Sequence, residues 1–423
     1  MLDIKFIREN KEAVKQNIVN RQMNVDVDKL LDLDEQRRVL MAQIETLRAY
    51  QNKASDDISK EIDPAAKEKK IKKIKEVKEK ISASEPLLAD IEKEYESLML
   101  QVPNMIQREV PIGKEENDNK VLREVGERPK FDFAQRDYMQ IASDLDLIDT
   151  ERAAKVSGSR FGYLKREAAL LEFALVKMSL DVLVKEGFVF VIPPVMIKSP
   201  AMKAMGYIDT EEDKEEKYYF DKDDLYLVGT SEQSIGPMHI NEILEEKDLP
   251  LRYVSFSTCF RREAGSYGKD TKGILRVHQF DKLEMFSFCK PEDSAAEHKY
   301  FVSLEEKLMK KLELPYRVMQ LRSADFARPS SATIDIETWF PGEGRYRETH
   351  SSSNCTDFQA RRLNIRYRDK AGKPEFVHML NGTAFATGRI LIAILENYQQ
   401  KDGSVLVPKA LQKYTGFKKI SKK

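Results

Sequence analysis

The feature that most constrains this chain of 423 residues is an apolar heptad near its amino terminus. Ile74, Val77, Ile81, Leu88, Ile91, Tyr95 and Leu98 recur at alternating steps of three and four, and only Ser84 interrupts the seam. A seam of that period needs a second helix to cover it. Leu33, Leu40 and Leu47, with Ile44 alongside, offer one upstream. The polar stretch QNKASDDISKEIDPAA between them, with Pro64, reads as a turn. The pattern predicts an antiparallel two-helix coiled-coil arm, roughly 40 Å long for about 28 residues per helix. Pro86 falls inside the second helix and is expected to kink or loosen it.

Charge does not identify a partner for the chain as a whole, because 71 basic residues balance 71 acidic ones. The arm is different. Between Lys67 and Lys80 stand eight lysines and three glutamates, including Lys69, Lys70, Lys72 and Lys73. Such a surface can neutralise RNA phosphates, or it can simply keep a thin hairpin in solution. Cys259, Cys289 and Cys355 are scattered with no CxxC, and the five histidines show no HxxxH. No structural zinc is expected, and a reducing compartment is. No apolar run is long enough to span a membrane, and the first residues lack the pattern of a secretory signal. The expectation is a cytoplasmic protein.

A Pro- and Asn-bearing linker, VPNMIQREVPIGKEENDNK, puts the domain boundary near residue 110, giving domains 1–110 and 111–423. In the second domain GFVFVIPPV (Gly187 to Val195) reads as a strand stopped by two prolines. RYVSFSTCF and VHQFDKLEMFSFC read as two strands joined by a Gly- and Lys-rich loop. Strand alternation sets Arg261 and Glu263 on one face with Arg262 on the other, and groups Phe280, Lys282 and Glu284. TAFATGRILIAILENYQ begins with small residues and becomes an apolar helix. If the two strand faces share a cleft, they supply a guanidinium for an anion and an aromatic plane for a base. A surface hairpin with ion pairs would show the same pattern.

These segments also resemble a known family. CFRREAGSYGKDTKGILRVHQFDKLEMF resembles motif 2 of class II aminoacyl-tRNA synthetases, in the form of the seryl branch. GFVFVIPPV resembles motif 1, with Pro194 at the proline position that lies at the family's dimer interface. NGTAFATGRILIAILENYQ resembles motif 3, with its arginine at Arg389. GTSEQS and RETHSSSNCTDFQARR are similar to the amino-acid and ATP segments. The resemblance covers essentially the whole chain. It implies an α+β fold, with an antiparallel β-sheet core flanked by helices, and ATP-dependent ligation of L-serine to tRNA(Ser) through a seryl-adenylate. It leaves open serylation of selenocysteine tRNA. The lack of GxGxxG or GxxxxGK[ST] agrees with such a fold.

The resemblance further implies roles. Arg261 bridges the serine carboxylate and the α-phosphate, and Arg389 flanks the adenine opposite Phe280; these two arginines are the candidate catalytic residues. Thr230, Ser231, Glu232, Glu284, Asn381 and Thr383, with Arg261, hold serine. Glu232 takes the ammonium group and Glu284 the hydroxyl, whose absence would leave a buried carboxylate unpaired and so penalise alanine. Arg262, Glu263, Val277, Glu348, Thr349, His350 and Ser351 complete the ATP site, with Glu348 and Ser351 as ligands of Mg²⁺. Arm lysines together with Lys269, Lys272 and Arg276 contact tRNA. A homodimer through motif 1 is implied as well. His350 and NGTAFATG depart from the commoner family pattern, which leaves the local backbone path beside Ser351 open. His278 and Cys259 are expected to pack rather than react. Two other readings stay open: an enzyme that loads an amino acid onto a carrier protein, and a non-enzymatic RNA-binding relative.

Overall fold

A computed structural model describes residues 1–264 and 272–422. Two compact units follow one another in sequence, Leu2–Pro103 and Asn104–Lys423.

The first unit is dominated by two helices, α1 (Val27–Ser59) and α2 (Pro64–Gln101), packed along their lengths. Their cross-links run in opposite directions, as an antiparallel pair requires. Lys29 joins Glu94, Arg37 covers Tyr95, Arg48 meets Glu85 and Lys73 covers Tyr50. Ile44, Ile74, Val77 and Ile81 are buried in the seam. The helices are longer than the sequence reading gave, because the connection shrinks to residues 60–63. Gln, Lys and Ala in 51–59 sustain helix, and Pro64 occupies the first turn, where its missing N–H costs nothing. The Asp63 carboxylate caps that turn by accepting from Ala65 and Ala66 N–H. At a rise of 1.5 Å per residue the shorter helix spans about 50 Å. Helix α2 also runs unbroken through Pro86, which sits on an exposed position away from the seam.

The second unit is built on an eight-stranded sheet: β1 (Lys120–Val125), β2 (Val189–Val191), β3 (Leu251–Phe260), β4 (Gln279–Cys289), β5 (Tyr316–Gln320), β6 (Ala332–Phe340), β7 (Arg345–Asn354) and β8 (His378–Ala386). Their spatial order is β1-β5-β6-β7-β8-β4-β3-β2. Every neighbouring pair is antiparallel except β2 with β3. Helices α3 (Arg166–Leu183), α4 (Ser294–Leu312) and α5 (Thr387–Asn397) share one core with the sheet. Alternation on β4 explains how. Leu283 and Met285 point into that helical core, while Phe280, Lys282 and Glu284 point to the opposite face. Farther along, Phe286 and Phe288 join a second core with Met205, Ile235 and Met379. Each fully buried large side chain of these cores stabilises the unit by about 1.5–3 kcal/mol.

Residues 104–110 pack within the second unit. The Asn104 amide donates to the carbonyls of Pro329 and Cys355, and Val110 joins Leu321, Phe326 and Ala332. The small-residue start, TAFA, is strand. Asn381 to Ala386 continue β8, and the helix begins only at Thr387, because this segment is taken up by ladders with β4 and β7.

Within the first unit, Asp34 is fully buried and meets Arg8, Arg37 and Arg38 at 3.3, 3.6 and 3.2 Å. Asp34→Ala should destabilise this unit by about 1–3 kcal/mol, between the values for exposed and for fully buried pairs because the arginines remain partly in water. Calorimetric unfolding of the full chain would detect this as an earlier transition, and an unchanged profile would contradict it.

Candidate active site

The sheet face opposite the helical core opens into a cavity of about 670 Å³. Its floor is β4. Phe280, Lys282 and Glu284 lie there at period-two spacing, flanked by Asn381 and Thr383 of β8. Two bulges let the neighbouring strands present residues that plain alternation would separate. On β7, Thr349 is the extra residue, which brings Glu348 and Ser351 to the same face despite their odd spacing. On β8, Ala384 is extra, so Thr383 and Ala386 both line the cavity. The backbone path beside Ser351 is therefore that of a bulged strand.

Strand β3 ends at Phe260, and the next three residues turn over the cavity rather than continue the strand. Arg261 N–H still bonds His278 carbonyl at 3.0 Å, and Glu263 takes φ 53°. The Arg261 guanidinium donates to the Gly229 carbonyl at 3.1 Å and stands 5.3 Å from the Phe280 ring centre. Glu263 pairs with Arg276 at 2.6 Å. Arg389 bonds the Glu348 carbonyl at 2.8 Å and approaches its carboxylate at 3.3 Å. Val277, Thr230 and Glu232 complete the wall.

The polar floor is closely coupled. Glu284 accepts from the Lys282 ammonium at 2.6 Å and from Thr383 hydroxyl at 3.2 Å. Burial raises the Glu284 carboxyl above its ordinary value, against the pull of Lys282 and Thr383. Glu232 is also buried, and one of its oxygens has no hydrogen-bond partner. Burial, with Glu284 nearby, pushes its carboxyl up to about 8. Both shifts favour the protonated form of this pair in the free cavity. Asp335 of β6 also has an unpartnered buried oxygen and lies beside Glu348 and Ser351. Burial and Glu348 raise its carboxyl well above the usual range.

Several expected residues stand elsewhere. Arg262 turns away from the cavity onto the Tyr218 ring, 5.7 Å from its centre. His350 is buried behind the strand, with its Nδ1 2.9 Å from Thr349 hydroxyl and its ring against Phe385. Ser231 is fully buried and accepts from Ser255 at 2.7 Å. None of these three side chains lines the cavity. On Glu284 both the Lys282 and the Thr383 contacts fall on one carboxylate oxygen, Oε2. Lys272 is exposed, and its carbonyl accepts from Tyr138 hydroxyl at 3.3 Å. Lys269 lies outside the described residues. His278 packs between Phe161 and Tyr218, and Cys259 is fully buried. The sequence reading assigned no role to Lys217, Lys282 or Asp335. Alternation had already placed Lys282 beside Glu284. The other two come from segments far apart in the chain, with no local signal.

Residues 1–106 match the Seryl-tRNA synthetase N-terminal domain, and residues 216–398 the tRNA synthetase class II core domain (G, H, P, S and T). The chain is 47% identical to the serine–tRNA ligase of Dictyoglomus turgidum over 100% of both chains. In structure it is similar to the seryl-tRNA synthetase from Pyrococcus horikoshii complexed with ATP, with TM-score 0.91, 41% identity and 100% of both chains covered. It is also similar to the cytoplasmic serine–tRNA ligase from Naegleria fowleri in complex with AMP, with TM-score 0.86, 34% identity, and 100% and 99% of the two chains covered. The chain belongs to the seryl-tRNA synthetase family, within the class II aminoacyl-tRNA synthetases.

Proposed function

We propose that this chain joins L-serine to tRNA(Ser) in two steps at the β4 cavity, with ATP as co-substrate. In the first, a serine carboxylate oxygen attacks the α-phosphorus of ATP, and the bond to the bridging oxygen breaks as pyrophosphate leaves with its electron pair. In the second, a terminal ribose hydroxyl of the tRNA attacks the seryl-adenylate carbonyl and AMP departs. Neither step requires a covalent bond to the protein, so alignment and charge neutralisation supply the catalysis. One observation carries this reading: an anion-seeking guanidinium, a base-sized aromatic plane and a buried acidic pocket share one cavity.

Arg261 lies between the carboxylate and the α-phosphate, where a planar cation offsets the repulsion of two anions. Phe280 stacks on adenine, with Arg389 on its other side, and Glu263 accepts from the adenine amino group. Val277 supplies backbone to the ATP site. Glu232 takes the serine ammonium, and its unpartnered buried oxygen supports that role. Glu284 and Thr383 read the hydroxyl, and Thr230 and Asn381 close the pocket. Mg²⁺ belongs to the same reading. The oxygens of Glu348 and Ser351, beside the unpartnered oxygen of Asp335, suit a hard cation. Glu348 and Ser351 would hold the ion, which supplies charge neutralisation at the phosphates.

The arm is the tRNA-binding element. Lys69 and Lys72 are exposed on α2, while Lys70 is held by Glu61 at 2.6 Å. Arg276, paired with Glu263, and Lys272 serve the acceptor end. A homodimer through the motif 1 region is supported by apolar surface on α3 and the edge strand β2. Phe173 is 67% exposed and Ile192 74%, with Leu170, Val189 and Phe190 also open to solvent. No described helix is long and apolar enough to cross a membrane. A cytoplasmic location completes the reading.

Purified protein should exchange pyrophosphate into ATP with serine and not with threonine. Glu284→Ala should lower that exchange about 100-fold or more, since it strips Lys282 of its counter-charge as well as removing the acceptor. Retained exchange with unchanged serine preference would refute the pocket assignment.

Serine binding should also release a proton. Below about 8, Glu232 is protonated in the free protein, and a bound ammonium favours the carboxylate. The KM for serine should therefore rise as pH falls through about 8, by at most about tenfold per pH unit, and level off above it. Calorimetry in buffers of differing ionisation heat measures the proton directly, and Glu232→Gln should abolish it.

Replacing Lys69, Lys72 and Lys73 by glutamate should leave serine-dependent exchange intact while weakening transfer to tRNA about 10-fold or more at moderate salt. Equal transfer by both proteins would remove the arm from tRNA recognition.

A further inference from the structure

Five cations reach the cavity wall, and they are not equivalent. Arg276, Lys282 and Arg389 are matched by Glu263, Glu284 and Glu348. Among the described residues, Arg261 and Lys217 form no ion pair. Both line the same cavity, and the Arg261 charge reaches the Lys217 ammonium. Lys217 is held in place from three sides. The preceding residue accepts, through the Glu216 carbonyl, from Arg262 N–H at 3.1 Å. The following residue, Tyr218, packs under the Arg262 guanidinium and edge-on to His278. The Lys217 ammonium itself stands 5.8 Å from the Tyr207 ring centre. The segment is thus braced against the turn that carries Arg261, and Lys217 lines the cavity beside Tyr207.

Two adjacent, partly buried cations without carboxylate partners repel each other, and their arrangement persists at a cost that a bound anion removes. Burial, then Arg261, lowers the Lys217 ammonium below its ordinary value, against the weaker pull of Glu216, Asp213 and Glu263. One guanidinium cannot balance a carboxylate and a phosphate together.

We propose that Lys217 is a further catalytic residue, an anion contact set beside Arg261 where the serine carboxylate meets the α-phosphate. This rests on the two-step reading above. As the carboxylate oxygen bonds to phosphorus and pyrophosphate leaves, no proton moves and the negative charge on the remaining α-phosphate oxygens stays in place. Lys217 holds that charge through the step with Arg261, and then holds the phosphate of the adenylate. The ligand it recognises is a nucleoside 5′-monophosphate or its mixed anhydride with an amino acid, and the nucleoside alone does not engage it.

The test compares AMP with adenosine on the full chain by calorimetry. Lys217→Met should weaken AMP by about 10-fold, the worth of one charge-assisted hydrogen bond, and leave adenosine unchanged. Lys217→Arg should keep most AMP affinity. Serine-dependent pyrophosphate exchange should fall about 10- to 100-fold in kcat for Lys217→Met and recover in large part for Lys217→Arg. AMP affinity within about twofold of the unaltered protein would overturn the proposal, as would equal weakening of AMP and adenosine. Lys217→Gln serves the same comparison should the methionine variant not fold. If the unaltered chain showed no serine-dependent exchange, yet Lys217→Met lost AMP selectively, the serine assignment would fall and the phosphate contact would stand.

Discussion

The pleat of strand β4 is the constraint on which the rest of the structure depends. Its odd residues, Leu283 and Met285, are committed to the helical core, and its even residues, Phe280, Lys282 and Glu284, to the cavity. A slip of one residue would bury Lys282 and Glu284 among leucines and expose the core. Burial of the apolar face therefore fixes the register of the polar face. The same packing that stabilises the unit orients the groups that meet the substrate.

The charges in the cavity form a graded set. Lys282 with Glu284, and Arg276 with Glu263, are internally balanced and define the shape of the wall. Glu232 keeps an oxygen free, and Arg261 and Lys217 keep their charge unmatched by ion pairs among the described residues. An amino acid brings an ammonium and a carboxylate, and a nucleotide brings phosphate, so the unmatched groups on the protein mirror the charges on its substrates. Leaving them unmatched destabilises the free protein slightly, and binding recovers that energy where the chemistry occurs. The two strand bulges serve the same end. They turn Glu348 and Ser351, and Thr383 and Ala386, onto one surface at the expense of ladder regularity.

Sequence alone determined a good deal, where the information was local and periodic. The heptad from Ile74 to Leu98 required a partner helix, and alternation grouped Phe280, Lys282 and Glu284, since both patterns reflect the pitch of a single element. Motif resemblance supplied the family and most of the cavity residues. Helix ends were less legible. The turn at 60–63 depends on Asp63 and Pro64 capping, and the polar residues before it form helix as readily as loop.

Tertiary structure decided what depends on distance across the chain. Whether TAFA is strand or helix was settled by its ladder with β4, and small apolar residues alone do not choose between them. Arg262, His350 and Ser231 sit inside the right motifs, yet a strand end, a bulge and a buried serine pair turn them from the cavity. Lys217, Lys282 and Asp335 reach the same cavity from three separate segments. Alternation placed Lys282 beside Glu284, but the partners of Lys217 and Asp335 come from distant segments and are fixed by the folded sheet rather than by any pattern along the sequence.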